Sequence, residues 1–166
     1  MDEFTKYLLI LLTSLAPGIE VRGSIPLTFI LFSDGLGRIY GTSVAVIGNL
    51  LIAPPVIALL KTLDDLIRTS RYIPKTLRGI YVIALNYARI KSLKVRRYSF
   101  LGLMTFTAVP LPGTGAWTAS LISFLIGMDR VKAVLAIEVG VLIASLIVAA
   151  ATYLGLEAVK ALFLIP

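Results

Sequence analysis

Glu20, Arg22 and Glu138 are charged side chains set inside or between long apolar stretches, and Asn49 is a polar amide in the middle of another. Ionisable groups at membrane depth are costly and mark ion, proton or substrate paths. Two acids beside one Arg fit an acid that takes up and releases a proton, with Arg22 tuning it or meeting an anionic substrate. The plainer alternative has Arg22 paired with Glu20 or Glu138 merely to neutralise buried charge. The chain contains no His and no Cys, which removes imidazole bases, thiol nucleophiles and the usual zinc ligands together. An intramembrane enzyme would have to work with Glu20 and Glu138 alone, so the expectation is a non-enzyme with no metal and no cofactor.

The elements that hold these groups are read from composition. Of 166 residues, 58% are of the types AVILMFWYC and 15% are charged. Soluble domains carry about 25% charged residues, so this chain has too little polar surface to coat a water-soluble globule. A single membrane domain over residues 1–166 is expected. The formal charge is +7 and is concentrated. Lys61, Arg68, Arg71, Lys75, Arg78, Arg89, Lys91, Lys94, Arg96 and Arg97 face only Asp64 and Asp65 in the segment 61–97. Basic segments beside apolar spans stay in the cytoplasm and meet anionic headgroups. The partners expected are therefore membrane lipids and a small-molecule or lipid substrate, not nucleic acid, because no RNA-binding motif accompanies the charge. Within this linker Ile80, Ile83, Tyr87 and Ile90 recur at helical spacing, which predicts an amphipathic helix lying on the leaflet. Asp2 and Glu3 are unlike the basic start of a signal peptide.

A helix needs about 20 apolar residues to cross a ~30 Å hydrocarbon core. Ile39 to Leu60 and Ala133 to Leu156 meet that length, with Glu138 the single charge; Pro54-Pro55 should kink the first. Tyr7 to Ser33 and Tyr98 to Met128 are instead interrupted midway. The first break holds Pro17 and Gly18, the second Pro110, Pro112, Gly113 and Thr114. Proline removes a helix hydrogen bond and glycine favours a turn, so each region reads as two half-length helices. The preferred reading is a re-entrant hairpin that enters and leaves on one face; the alternative is a kinked crossing helix. A second hairpin also returns Asp129, Arg130 and Lys132 to the cytoplasmic side.

An internal repeat follows. Pro17-Gly18 corresponds to Pro112-Gly113, and Gly48-Asn49-Leu50-Leu51-Ile52-Ala53 resembles Gly140-Val141-Leu142-Ile143-Ala144. The fold class expected is an all-α polytopic membrane protein: an inverted repeat of re-entrant hairpin plus transmembrane helix, with residues 1–60 and 98–166 flanking the basic amphipathic linker. Helices starting near Ser24 and Ala116 would aim their N-termini at the midplane, where such ends favour anions. Thr114, Thr118 and Ser24 add hydroxyls there and Trp117 an aromatic wall; the hydroxyls also have the plainer use of satisfying carbonyls freed by proline. Two crossing helices scarcely surround two hairpins, so a homodimer is expected.

The stretch Pro17-Gly18-Ile19-Glu20-Val21-Arg22-Gly23-Ser24-Ile25-Pro26, with Val109-Pro110-Leu111-Pro112-Gly113-Thr114-Gly115-Ala116-Trp117-Thr118, resembles the small multidrug export protein family. More distantly the architecture is similar to the DedA and VTT group of re-entrant-loop membrane proteins. The resemblance implies transport: a proton-coupled transporter or lipid-headgroup flippase whose substrate sits near the two tips, with a membrane-organising scaffold as the alternative. DedA proteins carry an Arg around the proline of the second hairpin. Phe106-Thr107-Ala108-Val109-Pro110 has none, so a phosphate clamp is not carried over, and Arg22 is the one cation at the tips.

Overall fold

A computed structural model of the chain describes residues 1–69, 74–92 and 99–163, with the side chains of 75, 84, 88–92 and 159–163 not described. Arg71, Lys94, Arg96 and Arg97 of the basic run therefore lie outside the described residues, as do the side chains of Lys75, Arg89, Ile90 and Lys91. All regular structure among the described residues is helical. The order is α1 (Glu3–Leu15), α2 (Glu20–Leu31), α3 (Gly35–Leu50), α4 (Ala53–Thr69), α5 (Lys75–Ser92), α6 (Ser99–Ala108), α7 (Ala116–Leu125) and α8 (Arg130–Phe163).

The prolines and glycines break the chain as their chemistry requires. α1 and α2 have 13 and 12 residues, ~20 and ~18 Å of helix, and Gly18 carries φ +83° in the turn between them. α6 and α7 have 10 residues each, and Gly113 has the same φ of +83°. The outer ends of the first pair come together: the Tyr7 and Phe32 rings lie 5.0 Å apart and the Lys6 ammonium sits 4.9 Å from the Phe32 centroid. Asp34 then starts α3 by accepting the Gly37 amide at 2.6 Å, and Asp129 starts α8 by accepting the Lys132 amide at 3.2 Å.

α3 and α4 form one apolar run of 35 residues, Gly35–Thr69, and Arg130–Ala158 gives a second; both are long and apolar enough to cross a membrane. Each extends beyond the range expected from the sequence. The expected kink falls at Leu51 and Ile52, with Pro54 and Pro55 in the first turn of α4, where a missing N–H costs least. α1 packs on α3 and α6 on α8, while α2 lies against both α3 and α8 and α7 against both α4 and α8. Small residues permit the close approaches. A Cβ on Gly48 would strike Ser14, and one on Gly140 would strike Thr107 and the Met104 carbonyl. Ile10, Ile25, Ala45, Ala116, Ile137 and Val141 form the core between these helices.

Most of the polar residues in the core are satisfied within their own helices. Ser24, Thr28, Thr107, Ser120 and Ser145 donate to the carbonyl four residues earlier, at 2.7–2.9 Å. They supply small volume rather than links between helices. The outside is the reverse of a soluble protein: Leu36, Ile39, Ile47, Leu59, Leu142 and Leu146 stand exposed along the two long spans. On α5, Ile80, Ile83 and Tyr87 are exposed on the face expected to meet lipid, while Leu85 is buried.

Candidate functional site

The two interrupted pairs meet at their turns. α2 begins at Glu20, four residues earlier than expected, and Glu20 is the single non-glycine residue with positive φ, at +52°, among the described residues. Left-handed backbone costs an L-residue roughly 1–2 kcal/mol. What offsets it is the carboxylate, which is 1% exposed and directed at the first turn of α7. There Glu20 Oε2 accepts the Ala116 amide at 3.1 Å and Oε1 the Trp117 amide at 3.4 Å. Arg22 Nη1 donates to Oε2 at 2.9 Å. The α7 N-terminus, which the sequence offers to an external anion, is thus occupied by the chain's own acid.

Arg22 also holds the other turn. Its Nη2 donates to Thr114 Oγ1 at 2.9 Å, to the Val109 carbonyl at 3.2 Å and to the Thr107 carbonyl at 3.4 Å. The two carbonyls lie at the end of α6, just before Pro110 and Pro112, which supply no N–H, and Thr114 belongs to the turn that follows. The Thr114 hydroxyl reaches the Val109 and Leu111 carbonyls at 2.6 and 2.9 Å. Trp117 makes the opposite link, its indole Nε1 donating to the Leu15 carbonyl at the end of α1, 3.0 Å away. Each pair therefore sends one side-chain N–H donor to the end of the other pair's first helix.

Gly115 makes this junction possible. A Cβ there would lie inside the Glu20 carboxylate. Nothing in its local sequence marks Gly115 as a site residue, yet the spacing that sets Pro17 opposite Pro112 also sets Glu20 opposite Gly115 and Arg22 opposite Trp117. Ser24 bonds its own helix at the Glu20 carbonyl, so the hydroxyls at this junction serve backbone carbonyls.

Asn49 and Glu138 stand apart from this cluster. Asn49 is fully buried, its Nδ2 donating to the Ser14 carbonyl at 3.2 Å beside the first turn, and its Oδ1 has no partner among the described residues. Glu138 is half-buried on α8 and makes no ion pair among the described residues. Among the described residues no three acidic side chains gather in a set that would hold a metal ion.

Three of the cavities among the described residues flank the bundle. One of about 550 Å³ opens beside the second turn, walled by Leu101, Thr105, Phe106, Val109, Leu111 and Thr114. One of about 600 Å³ holds Lys61, Asp64, Asp129 and Arg130, and a smaller one of about 270 Å³ runs between α4 and α8. Glu20, Arg22, Asn49 and Glu138 line none of the three.

An all-helical bundle with two spans of crossing length, exposed leucines along them and interrupted helices meeting inside has the architecture of a membrane protein. The chain belongs to the family described as "Putative small multi-drug export protein", which residues 20–147 match. Among curated proteins and among solved structures, nothing matches this chain.

Proposed function

We propose that the chain is a proton-coupled membrane transporter for small amphiphilic molecules or lipid headgroups, working as an inverted repeat of two re-entrant hairpins, each followed by a spanning helix. The family's description, multi-drug export, supports the transport part of this reading. Its re-entrant part draws support from chain ends. Lys61 and Asp64 on α4 line one cavity with Asp129 and Arg130 at the start of α8, so the segment between them makes no net crossing. The Lys6–Phe32 contact argues the same for α1 and α2. The repeat draws support from Gly18 and Gly113, from Asp34 and Asp129, and from the close approaches at Gly48 and Gly140. The linker, with its positive charge, lies on the cytoplasmic side.

One observation carries the mechanism. Arg22 grips Val109 and Thr114, and those same residues wall the 550 Å³ cavity. A substrate with an acceptor group entering that cavity competes with Arg22 for Thr114, which couples occupancy to the junction between the two turns. Glu138 takes the proton. It stands two residues before Gly140, the point where α8 rests on Thr107 of α6, so neutralising it alters the helix that carries the second hairpin. A homodimer belongs to the same reading, because two spanning helices scarcely surround two hairpins.

A membrane-organising scaffold is the second reading, favoured by the way the Glu20 carboxylate and both Arg22 Nη atoms are taken up by partners within the chain. Reconstitution separates the two. Purified protein in liposomes should move fluorescent amphiphiles or labelled lipid in response to a pH gradient, and Glu138→Gln should abolish the pH response at normal yield. Full pH-dependent movement in both Glu138→Gln and Glu20→Gln variants would end the proton assignment. No movement across a broad panel would favour the scaffold.

A further inference from the structure

We propose that Lys61 and Arg130 bind the phosphate of one anionic membrane phospholipid, whose acyl chain lies in the groove between α4 and α8. This site is separate from the junction of the turns and does not depend on the transport reading. It is built from two adjoining spaces. The polar chamber of about 600 Å³ has Lys61, Asp64, Ser123, Asp129 and Arg130 in its wall. The apolar groove of about 270 Å³ is walled by Pro54, Ile57, Ala58, Val131, Val134 and Leu135. Ile57 and Arg130 belong to both, so a molecule with a charged head and an apolar tail occupies them together.

The charges select the sign of the head. Asp64 is already neutralised by Arg68 at 2.7 Å and accepts the Tyr81 hydroxyl at 3.0 Å. Asp129 caps the amide of Lys132 at the α8 N-terminus, where the helix dipole meets its charge. Lys61 and Arg130 have no carboxylate within ion-pair distance among the described residues. Two cations without carboxylate partners among the described residues fit a phosphate and not an ammonium group.

Position along the spans fits the same occupant. Lys61 is the first charge after the uncharged stretch 39–60, and Arg130 opens α8 just before its own apolar run. Both therefore stand at the boundary between headgroups and hydrocarbon. Val131, Val134 and Leu135 follow Arg130 at helical spacing until Glu138 ends the apolar strip, a rise of about 12 Å at ~1.5 Å per residue. That is close to the depth of one leaflet, half of a ~30 Å core.

Native mass spectrometry of the intact protein in mild detergent, titrated with phosphatidylglycerol and separately with phosphatidylcholine, tests this. One phosphatidylglycerol per chain should be retained and phosphatidylcholine should not displace it. The Lys61→Ala/Arg130→Ala pair should weaken retention about thirtyfold, each cation near the surface contributing about fivefold. Lys132→Ala, an exposed cation outside the chamber, should leave it unchanged. Leu135→Trp, which fills the groove without touching charge, should also release the lipid; equal circular dichroism and elution volume show that the variants fold. Equal retention of phosphatidylcholine, or unchanged phosphatidylglycerol retention in the double variant or in Leu135→Trp, overturns the proposal.

Discussion

The carboxylate of Glu20 fills the space that a side chain at Gly115 would need. The acid of one interrupted helix pair and the glycine of the other form a single fitted contact, and the α7 N-terminus is capped through it.

Gly115→Ala should therefore destabilise the protein by about 2–3 kcal/mol, through overpacking and a displaced capping acid. Gly113→Ala is the control: it also alters the second turn, but a Cβ there meets open space and only the φ of +83° is strained, which costs about 1 kcal/mol. Thermal unfolding in detergent compares them. Equal losses would mean the Glu20 contact contributes nothing.

Glu20 and Arg22 should be strongly coupled. Each single change to Ala leaves a buried charge without its partner and should cost about 3–5 kcal/mol, while the double variant loses much less than the sum. Glu138→Gln, which breaks no pair, should change stability by no more than about 0.5 kcal/mol. A double-mutant cycle in denaturant reads the coupling, and additive losses would contradict the ion pair.

The two glycine contacts should differ in whether they can be rescued. Gly48→Ala strikes the Ser14 hydroxyl, so a further Ser14→Ala change should restore most of the lost stability. Gly140→Ala meets the Met104 backbone carbonyl as well as Thr107, so Thr107→Ala should restore little. Unfolding midpoints of the four variants decide it.

The absence of native cysteine makes topology directly measurable. Lys6→Cys and Ser33→Cys should react with an impermeant thiol reagent from one side of sealed vesicles. Lys61→Cys and Asp129→Cys should react from the opposite side, together. Labelling of Lys6 and Ser33 from opposite sides, or of Lys61 and Asp129 from opposite sides, would replace a re-entrant pair by a crossing one.

Much of the fold was readable because its breaks are made by local chemistry. Pro17-Gly18, Pro54-Pro55 and the Pro110 to Gly113 run interrupt helices by missing donors and by positive φ, and both effects act on adjacent residues. The face of α5 is local too. What the sequence left open was which residues the turns bring together. Arg22 had two acids available, and the choice of Glu20 rests on amides of Ala116 and Trp117 from the far half of the chain. The same long-range bonds draw the start of α2 back to Glu20 from the expected Ser24. Gly115 reads as a turn residue until its neighbour in space is known. Glu138 and Asn49 share an apolar setting with Glu20, and nothing in their local sequence shows that the fold keeps them out of its cluster.

The length of the α3–α4 run has a consequence for α5. At ~1.5 Å per residue its 35 residues reach about 52 Å, well past a ~30 Å hydrocarbon layer. Asp64, within the last turns of that run, receives the Tyr81 hydroxyl of α5. On the proposed membrane placement, that bond ties the amphipathic helix to the surplus length, so its draught in the headgroups is gauged by protein as well as by its own buoyancy.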